Sequence, residues 1–323
     1  MDALSEILRS ARLSAGMFLR GEFTEPWCLS TELSVADCFD HLGPIDHLII
    51  YHYIVEGRMI VEVPGEPAVV MLPGQAIVFT HNDHHTMAGR DPAVAVSALD
   101  VVQIPGPGNM MVIEHGGGGA KTRTVCGFLG GLALADDPLF SSLPRYLIYD
   151  CATARSGEVV RASLEFAAAE AADNRPGAAA VLAGLSELLL IEAIRSYVES
   201  HGDASGGWYD VLRDRSLSRA IAVIHKDPEQ QWTVEKLGRT VGSSRSALAE
   251  KFNRHLGCAP AEYVMQHRMR LAARKLVRSH ATIMDVAVSV GYGSEAAFSR
   301  AFKRRFGVSP SVWRKTQGMQ QPS

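Results

Sequence analysis

Residues 244–257, SRSALAEKFNRHLG, and residues 294–307, SEAAFSRAFKRRFG, are two versions of one segment set fifty positions apart. The echo extends beyond them. Ser244/Ser294, Leu248/Phe298, Phe252/Phe302, Arg254/Arg304, Gly257/Gly307, Pro260/Pro310 and Tyr263/Trp313 pair like with like, so one supersecondary unit occurs twice. Each unit reads as a helix, a tight turn and a second helix. Two such units on one basic segment point to double-stranded DNA as a partner.

In the first unit Thr233 is an N-cap, with Glu235 and Lys236 in the first turn of a helix over Val234–Thr240. Val241-Gly242-Ser243 turn the chain, and a second helix runs from Ser244 to Gly257. Leu248, Phe252 and Leu256 recur at i, i+4 and i+8, which buries one stripe and turns Arg245, Ser246, Ala249, Glu250 and Asn253 outward. The copy starts at Thr282, carries Val286, Ala287 and Val290 inward, turns at Gly291-Tyr292-Gly293 and restarts at Ser294. Phe298, Phe302 and Phe306 are then buried, with Glu295, Ala296, Ser299, Arg300 and Lys303 outward. Ala261–Arg278 is a long helical run, a stiff spacer with Val264, Met265, Met269, Ala272 and Leu276 for burial and Arg268, Arg270, Arg274 and Lys275 beside them.

Charge separates the same region. Through Asp210 the chain carries 12 Lys and Arg against 27 Asp and Glu; from Val211 onward it carries 20 against 8. The overall −3 therefore averages an acidic N-terminal part and a basic C-terminal part. What meets phosphates is the charge of the domain, not of the chain.

The stretch Ser279–Pro310, with Ala287, Gly291-Tyr292, Ser294, Phe298, Phe302-Lys303 and Gly307-Val308-Ser309-Pro310, resembles the DNA-binding domain of AraC/XylS-type transcription regulators. The likeness covers about residues 215–315. It implies two major-groove readers per subunit, about one helical turn (roughly 34 Å) apart on one face of DNA. Carried over, base contacts fall on Arg245, Ser246, Ala249 and Glu250 and on Glu295, Ala296, Ser299 and Arg300. Phosphate contacts fall on Arg254, Lys303, Arg304 and the helix N-termini near Thr233, Thr282 and Ser294. Glu250 is unexpected so near phosphates, unless it accepts from a cytosine amino group.

Residues 45–149 break into short β-rich runs punctuated by Gly and Pro: His47–Val55, Met59–Val63, Ala68–Leu72, Ala76–Thr80, Ala93–Val102, Met111–Glu114, Thr122–Phe128 and Tyr146–Tyr149. That spacing suits a small jelly roll or barrel. The segment Leu72–Phe79 followed by the His81–His85 cluster resembles the second stretch of cupin barrels, which AraC-type regulators use as effector domains; Cys126-Gly127 and Asp137–Pro144 resemble one subfamily of them. Two helices follow, Val159–Glu170 and Gly177–Glu199, antiparallel across a turn at 173–177. The second is too apolar for one face, which implies a homodimer through it. Ser200–Gly207 is the natural linker. The expected architecture is α+β in two domains: residues 1–205, a cupin-like β-barrel with trailing dimerisation helices, and residues 206–323, an all-α double helix-turn-helix.

Other constellations carry less. The N-terminus has no basic, apolar leader, the most apolar helix is interrupted by Glu187 and Glu192, and the five cysteines form no CxxC pattern, so a reduced cytoplasmic protein off the membrane is expected. His47, His52, His81, His84 and His85 could supply imidazoles to a metal, but strand alternation sends His47 and His52 to opposite faces and separates His84 from His85. No metal or cofactor is expected. Gly116–Gly119 with Ala120-Lys121-Thr122 lacks the last glycine of a phosphate loop and precedes a strand, so it reads as a hairpin connection. No nucleophile with a partnered base emerges, so no catalytic residue is assigned. Trp27, His52, His81, His84 and His85 are the expected ligand-pocket residues. The composite expectation is a ligand-responsive transcription regulator, an activator for instance, that reads DNA, binds a small-molecule effector, dimerises and has RNA polymerase as a further partner. A metal-dependent cupin enzyme fused to a DNA-binding tail is the alternative, and a redox sensor working through Cys126 or Cys151 the third reading.

Overall fold

Two kinds of patterning give two kinds of unit. In the computed structural model, which describes residues 2–38, 42–91, 93–103, 111–173, 177–200 and 208–318, the chain divides into a β-rich unit of residues 13–130 and 143–201 and a helical unit of residues 1–12, 131–142 and 202–323. The linker expected at Ser200–Gly207, and with it the boundary at 205/206, falls on residues 201–207, and most of the turn expected at 173–177 falls on 174–176; both lie outside the described residues.

The β-rich unit holds strands β1 (Ser14–Thr24), β2 (Cys28–Thr31), β3 (His47–Glu56), β4 (Met59–Glu62), β5 (Val69–Met71), β6 (Gln75–Phe79), β7 (His85–Ala88), β8 (Val96–Ser97), β9 (Met111–Gly116), β10 (Lys121–Gly131) and β11 (Tyr146–Asp150). They make a six-stranded sheet in the order β11-β6-β3-β10-β1-β9 and a five-stranded sheet in the order β5-β4-β7-β2-β8. Most neighbours are antiparallel, but β1 pairs β9 in parallel and β2 pairs β8 in parallel. Side chains of both sheets, among them Leu29, Met59, Val61 and Met87 from one and Ile50, Ile54, Ile77 and Phe128 from the other, form one core. The cupin-like fold is thus two sheets around a shared interior rather than one closed barrel.

Three details depart from the sequence reading. Of the strand expected over Ala93–Val102 only Val96–Ser97 is strand, because the Ser97 hydroxyl accepts from the Leu99 N–H and caps a one-turn helix, α2 (Ala98–Val101). Strands β1, β2 and β7 have no counterpart in the expected list. The glycine run after β9 is no hairpin between neighbours, because β1 lies between β9 and β10. It wraps the turn after β1 instead, with the Gly117 N–H donating to the Thr24 carbonyl and the Gly119 N–H to the Glu25 carbonyl. A Cβ at Gly116 (φ +136°) would sit 1.8 Å from the Thr24 carbonyl oxygen.

Two helices of this unit, α4 (Gly157–Asp173) and α5 (Ala178–Ser200), pack on each other and on β1. Leu182, Leu189, Leu190, Ala193 and Ile194 of α5 are buried, and the Ser186 and Tyr51 hydroxyls meet at 2.9 Å.

The helical unit contains α1 (Ala3–Ala11), α3 (Pro138–Ser142), α6 (Trp208–Arg213), α7 (Arg215–Lys226), α8 (Val234–Val241), α9 (Arg245–Leu256), α10 (Pro260–Arg278), α11 (Ile283–Ser289), α12 (Glu295–Phe306) and α13 (Pro310–Gly318). Helix α1 joins it because Ala3, Leu4, Ile7 and Ala11 make one buried stripe, packed on α7, and the Ala3 N–H donates to the Ser218 hydroxyl at 3.1 Å. The 131–142 segment joins it through Ala133, which packs in the cluster of Met269, Leu276, Phe298 and Phe302. Helix α10 is the spacer, and it is more enclosed than a solvated rod. Arg270 and Arg274 are buried, not ranged on an outer face, and so is His267, which lies against His225 with ring centroids 3.7 Å apart. Burial first holds both histidines well below their ordinary pKa, followed at His225 by the Arg270 and Arg274 guanidinium groups and at His267 by His225 and then those arginines, so the pair is neutral.

Candidate nucleic-acid interface and ligand cavity

The two helix-turn-helix units are built by the same local chemistry. Thr233 caps α8 by accepting from the Lys236 N–H, and Thr282 caps α11 in a reciprocal box with Asp285. Gly242, at φ 71°, ends α8 in the left-handed conformation; Ser244 and Ser294 then cap α9 and α12 by accepting from Ala247 and Ala297. Leu248 and Phe252 are fully buried on α9, as are Phe298 and Phe302 on α12.

That burial sets the outer face. Arg245, Ser246, Glu250 and Arg254 are exposed and Ala249 is half-buried; in the copy Glu295, Ala296, Arg300, Lys303 and Arg304 are exposed and Ser299 is half-buried. The candidate base and phosphate contacts therefore occupy matching positions on two helix surfaces. Their charges do not match. On the first helix Arg245 pairs with Glu235 at 2.6 Å and Arg254 pairs with Glu250. On the second, no acid among the described residues pairs with Arg300, Lys303 or Arg304. Lys251 is anchored inward, its Nζ 2.6 Å from Asp214 and 2.8 Å from the Ser216 hydroxyl, where the copy has buried Ala301. Asp214 loses solvation there, yet the Lys251 ammonium and the α7 N-terminal N–H groups pull its carboxyl down to about 2.

In the β-rich unit a cavity of about 120 Å³ opens between the sheets, lined by apolar side chains including Leu29, Met87, Ile113 and Phe128, with Thr31, His52, Cys126 and Asp37 as its polar members. Of the five expected pocket residues only His52 lines it. Trp27 is wholly buried in the core, stacked at 4.2 Å on Phe23, and it is Phe23 that reaches the cavity. His81 bonds the Leu143 carbonyl at 2.8 Å, His84 is exposed, and His85 stands behind His52, stacked on Phe79 at 3.7 Å. Thr31, Cys126 and Leu29 are cavity residues that sequence reading missed. Their place on the cavity wall, two small polar side chains and a leucine on inward-facing strand positions, is legible only once register is known.

Hydrogen-bond directions assign the histidine tautomers. The His85 Nδ1–H donates to the Asp83 carbonyl at 2.8 Å, which leaves Nε2 as an acceptor. The His52 Nε2–H donates to it at 3.0 Å, and His52 Nδ1 then accepts from the Cys126 thiol at 2.8 Å. His85 and Cys126 face different nitrogens of the His52 imidazole, so the three groups do not converge on one point as metal ligands must. Burial first and its neighbour His85 second hold His52 well below its ordinary pKa, while burial above all pushes His85 down to about 4 and Cys126 up to about 12. The relay is neutral from end to end.

Fold and interface define a two-part protein in which a cupin domain precedes a tandem, AraC-type helix-turn-helix domain. The family model described as cupin matches residues 2–199, one described as helix-turn-helix domain matches residues 237–316, and the chain belongs to the cupin family. It is 41% identical over 143 residues to a protein of Streptomyces lividans named an AraC-like transcription regulator, covering 44% of this chain and 47% of that one. It is 37% identical over 179 residues to the HTH-type transcriptional regulator AlkR of Acinetobacter baylyi, covering 55% and 58%. The chain thus spans about half the length of these two relatives. An uncharacterised HTH-type transcriptional regulator of Haemophilus influenzae is 26% identical across 98% of this chain and 99% of its own.

Proposed function

We propose that the chain is a sequence-specific DNA-binding transcription regulator controlled by a small molecule bound between the sheets of its cupin domain. The observation that carries this is the doubled unit: two capped helices, fifty residues apart, present matching exposed faces from a basic domain. Its relatives' names support it. On this reading Arg245, Ser246, Ala249 and Glu250, with Glu295, Ala296, Ser299 and Arg300, meet base edges, and Arg254, Lys303 and Arg304 meet phosphates. No catalytic role is assigned: burial pushes the Cys126 thiol up to about 12, which holds it as the thiol rather than the nucleophilic thiolate. Helix α5 joins two copies, because Leu188 and Ile191 stay partly exposed opposite its buried face, with Val181 exposed beside them. RNA polymerase is the further partner of the DNA-bound form.

The test is footprinting and competition binding by the full chain on DNA flanking its own coding region, at physiological ionic strength. A protected site held at least about 10³-fold tighter than random duplex is expected. Equal affinity for all duplexes would remove the proposal.

A further inference from the structure

The cavity's lining specifies its occupant more narrowly than a generic effector. Its wall is predominantly apolar, and Asp37 at its edge is the one charged side chain among the lining residues described, with no Lys or Arg opposite. Thr31 is 4% exposed, faces His85 across the β2–β7 pair and lines the cavity, and its hydroxyl has no hydrogen-bond partner among the described residues. A buried hydroxyl left so is unfavourable, and a ligand group that bonds it removes that cost. His52 and Cys126 also face the cavity, but each is bonded within the relay and offers no charge.

We infer that the cavity binds a small uncharged molecule with an apolar body and one hydrogen-bonding group, seated on the Thr31 hydroxyl, and that it discriminates against carboxylates of the same shape. This rests on the proposed regulatory reading only for its purpose; the binding chemistry stands apart from DNA. The size follows from about 120 Å³, close to the roughly 150 Å³ that holds a benzene ring in an engineered apolar cavity. An anion would meet the Asp37 carboxylate and an imidazole that resists protonation, and a sugar would bury several hydroxyl groups against side chains that cannot bond them. A polar handle on an aromatic or short aliphatic body satisfies every lining group.

Phenol and benzene, with benzoate and its uncharged near-isostere benzamide, test this by calorimetry and thermal shift on the full chain at pH 7. Phenol is expected to bind and raise the melting temperature, and benzoate to bind at least tenfold more weakly than benzamide. Thr31→Val should weaken phenol about tenfold and leave benzene unchanged, while Thr31→Ser retains phenol binding and so separates a lost hydroxyl from a damaged fold. Benzoate binding as tightly as benzamide, no phenol binding to the parent chain, or equal losses of phenol and benzene in Thr31→Val would each overturn the inference. Specific DNA binding, measured alongside, fails or stands on its own: its loss would remove the regulatory reading and leave the ligand chemistry in place.

Discussion

Replacing Asp137 by Asn should destabilise the helical unit through a charge on the opposite side of the pair. Arg270 is 1% exposed, and its Nε lies 3.5 Å from Asp137 Oδ2. Its Nη1 reaches the Asp136 carbonyl at 3.5 Å. These are long contacts, so the guanidinium is neutralised more than it is hydrogen-bonded, and much of its desolvation is uncompensated. Removing one partner of a buried pair typically costs about 3–5 kcal/mol; Asn keeps the Oδ1 that accepts from the Leu139 N–H at 3.1 Å, so we expect about 2 kcal/mol. Arg270→Met leaves the Asp137 carboxylate, whose side chain is itself 4% exposed, without its cation and should likewise cost about 2 kcal/mol. The double variant replaces the pair by neutral groups and should cost about 1 kcal/mol rather than about 4, a coupling of about 3 kcal/mol.

Urea unfolding of the full chain followed by tryptophan fluorescence reads this directly, since Trp208, Trp232 and Trp313 lie in the helical unit and Trp27 in the other. Additive variants, with coupling below about 0.5 kcal/mol, would refute the idea that Asp137 holds the 131–142 segment onto the spacer by charge. So would an Asp137→Asn effect confined to Trp27.

Acid should loosen the β-rich unit. His85 in the folded chain sits at about 4, below its unfolded value near 6.5, so the unfolded state gains its proton first. Stability is full above about pH 6.5, falls on the way down and levels off near pH 4, on the order of 3 kcal/mol for this one residue; His52, depressed in the same direction, adds to the slope. A urea midpoint unchanged between pH 7 and pH 5 would contradict it, and His85→Gln should flatten the curve. On DNA, Arg300→Ala should weaken specific binding by about 1–3 kcal/mol, and Arg245→Ala by less, because Glu235 already engages Arg245. Lys303→Ala should weaken all duplexes alike and lower the salt slope by about one, read from titrations at several salt concentrations.

The helical unit was largely legible because its signals are local. Caps at Thr233, Ser244, Thr282 and Ser294 and a repeating apolar stripe are each contained within a dozen residues, and the folded helices follow them. Burial of Arg270 and Arg274 was not legible, since it depends on a segment 134 residues earlier in the chain folding over α10. The same holds for the cavity. Trp27 looks like a ligand-facing aromatic in sequence, yet it precedes β2 and is buried against Phe23, while the pairing of β2 with β7 places Leu29 and Thr31 at the cavity; a strand's inward face is set by partners that local pattern does not name.

Duplication explains the common scaffold, but divergence between the copies decides how they divide the work. Residues that hold a helix in place have drifted least, whereas outward positions have separated in charge: Glu235 and Glu250 sit on the arginines of the first copy, and Arg300, Lys303 and Arg304 stand without such partners in the second. Exposed pairs of this kind are individually weak, about 0–1 kcal/mol, so a phosphate or a guanine edge can displace them. The displacement still subtracts from binding, and it subtracts least where the new contact is best. On the proposed reading the second helix therefore supplies the larger share of attraction to a duplex, in line with the larger loss expected from Arg300→Ala than from Arg245→Ala.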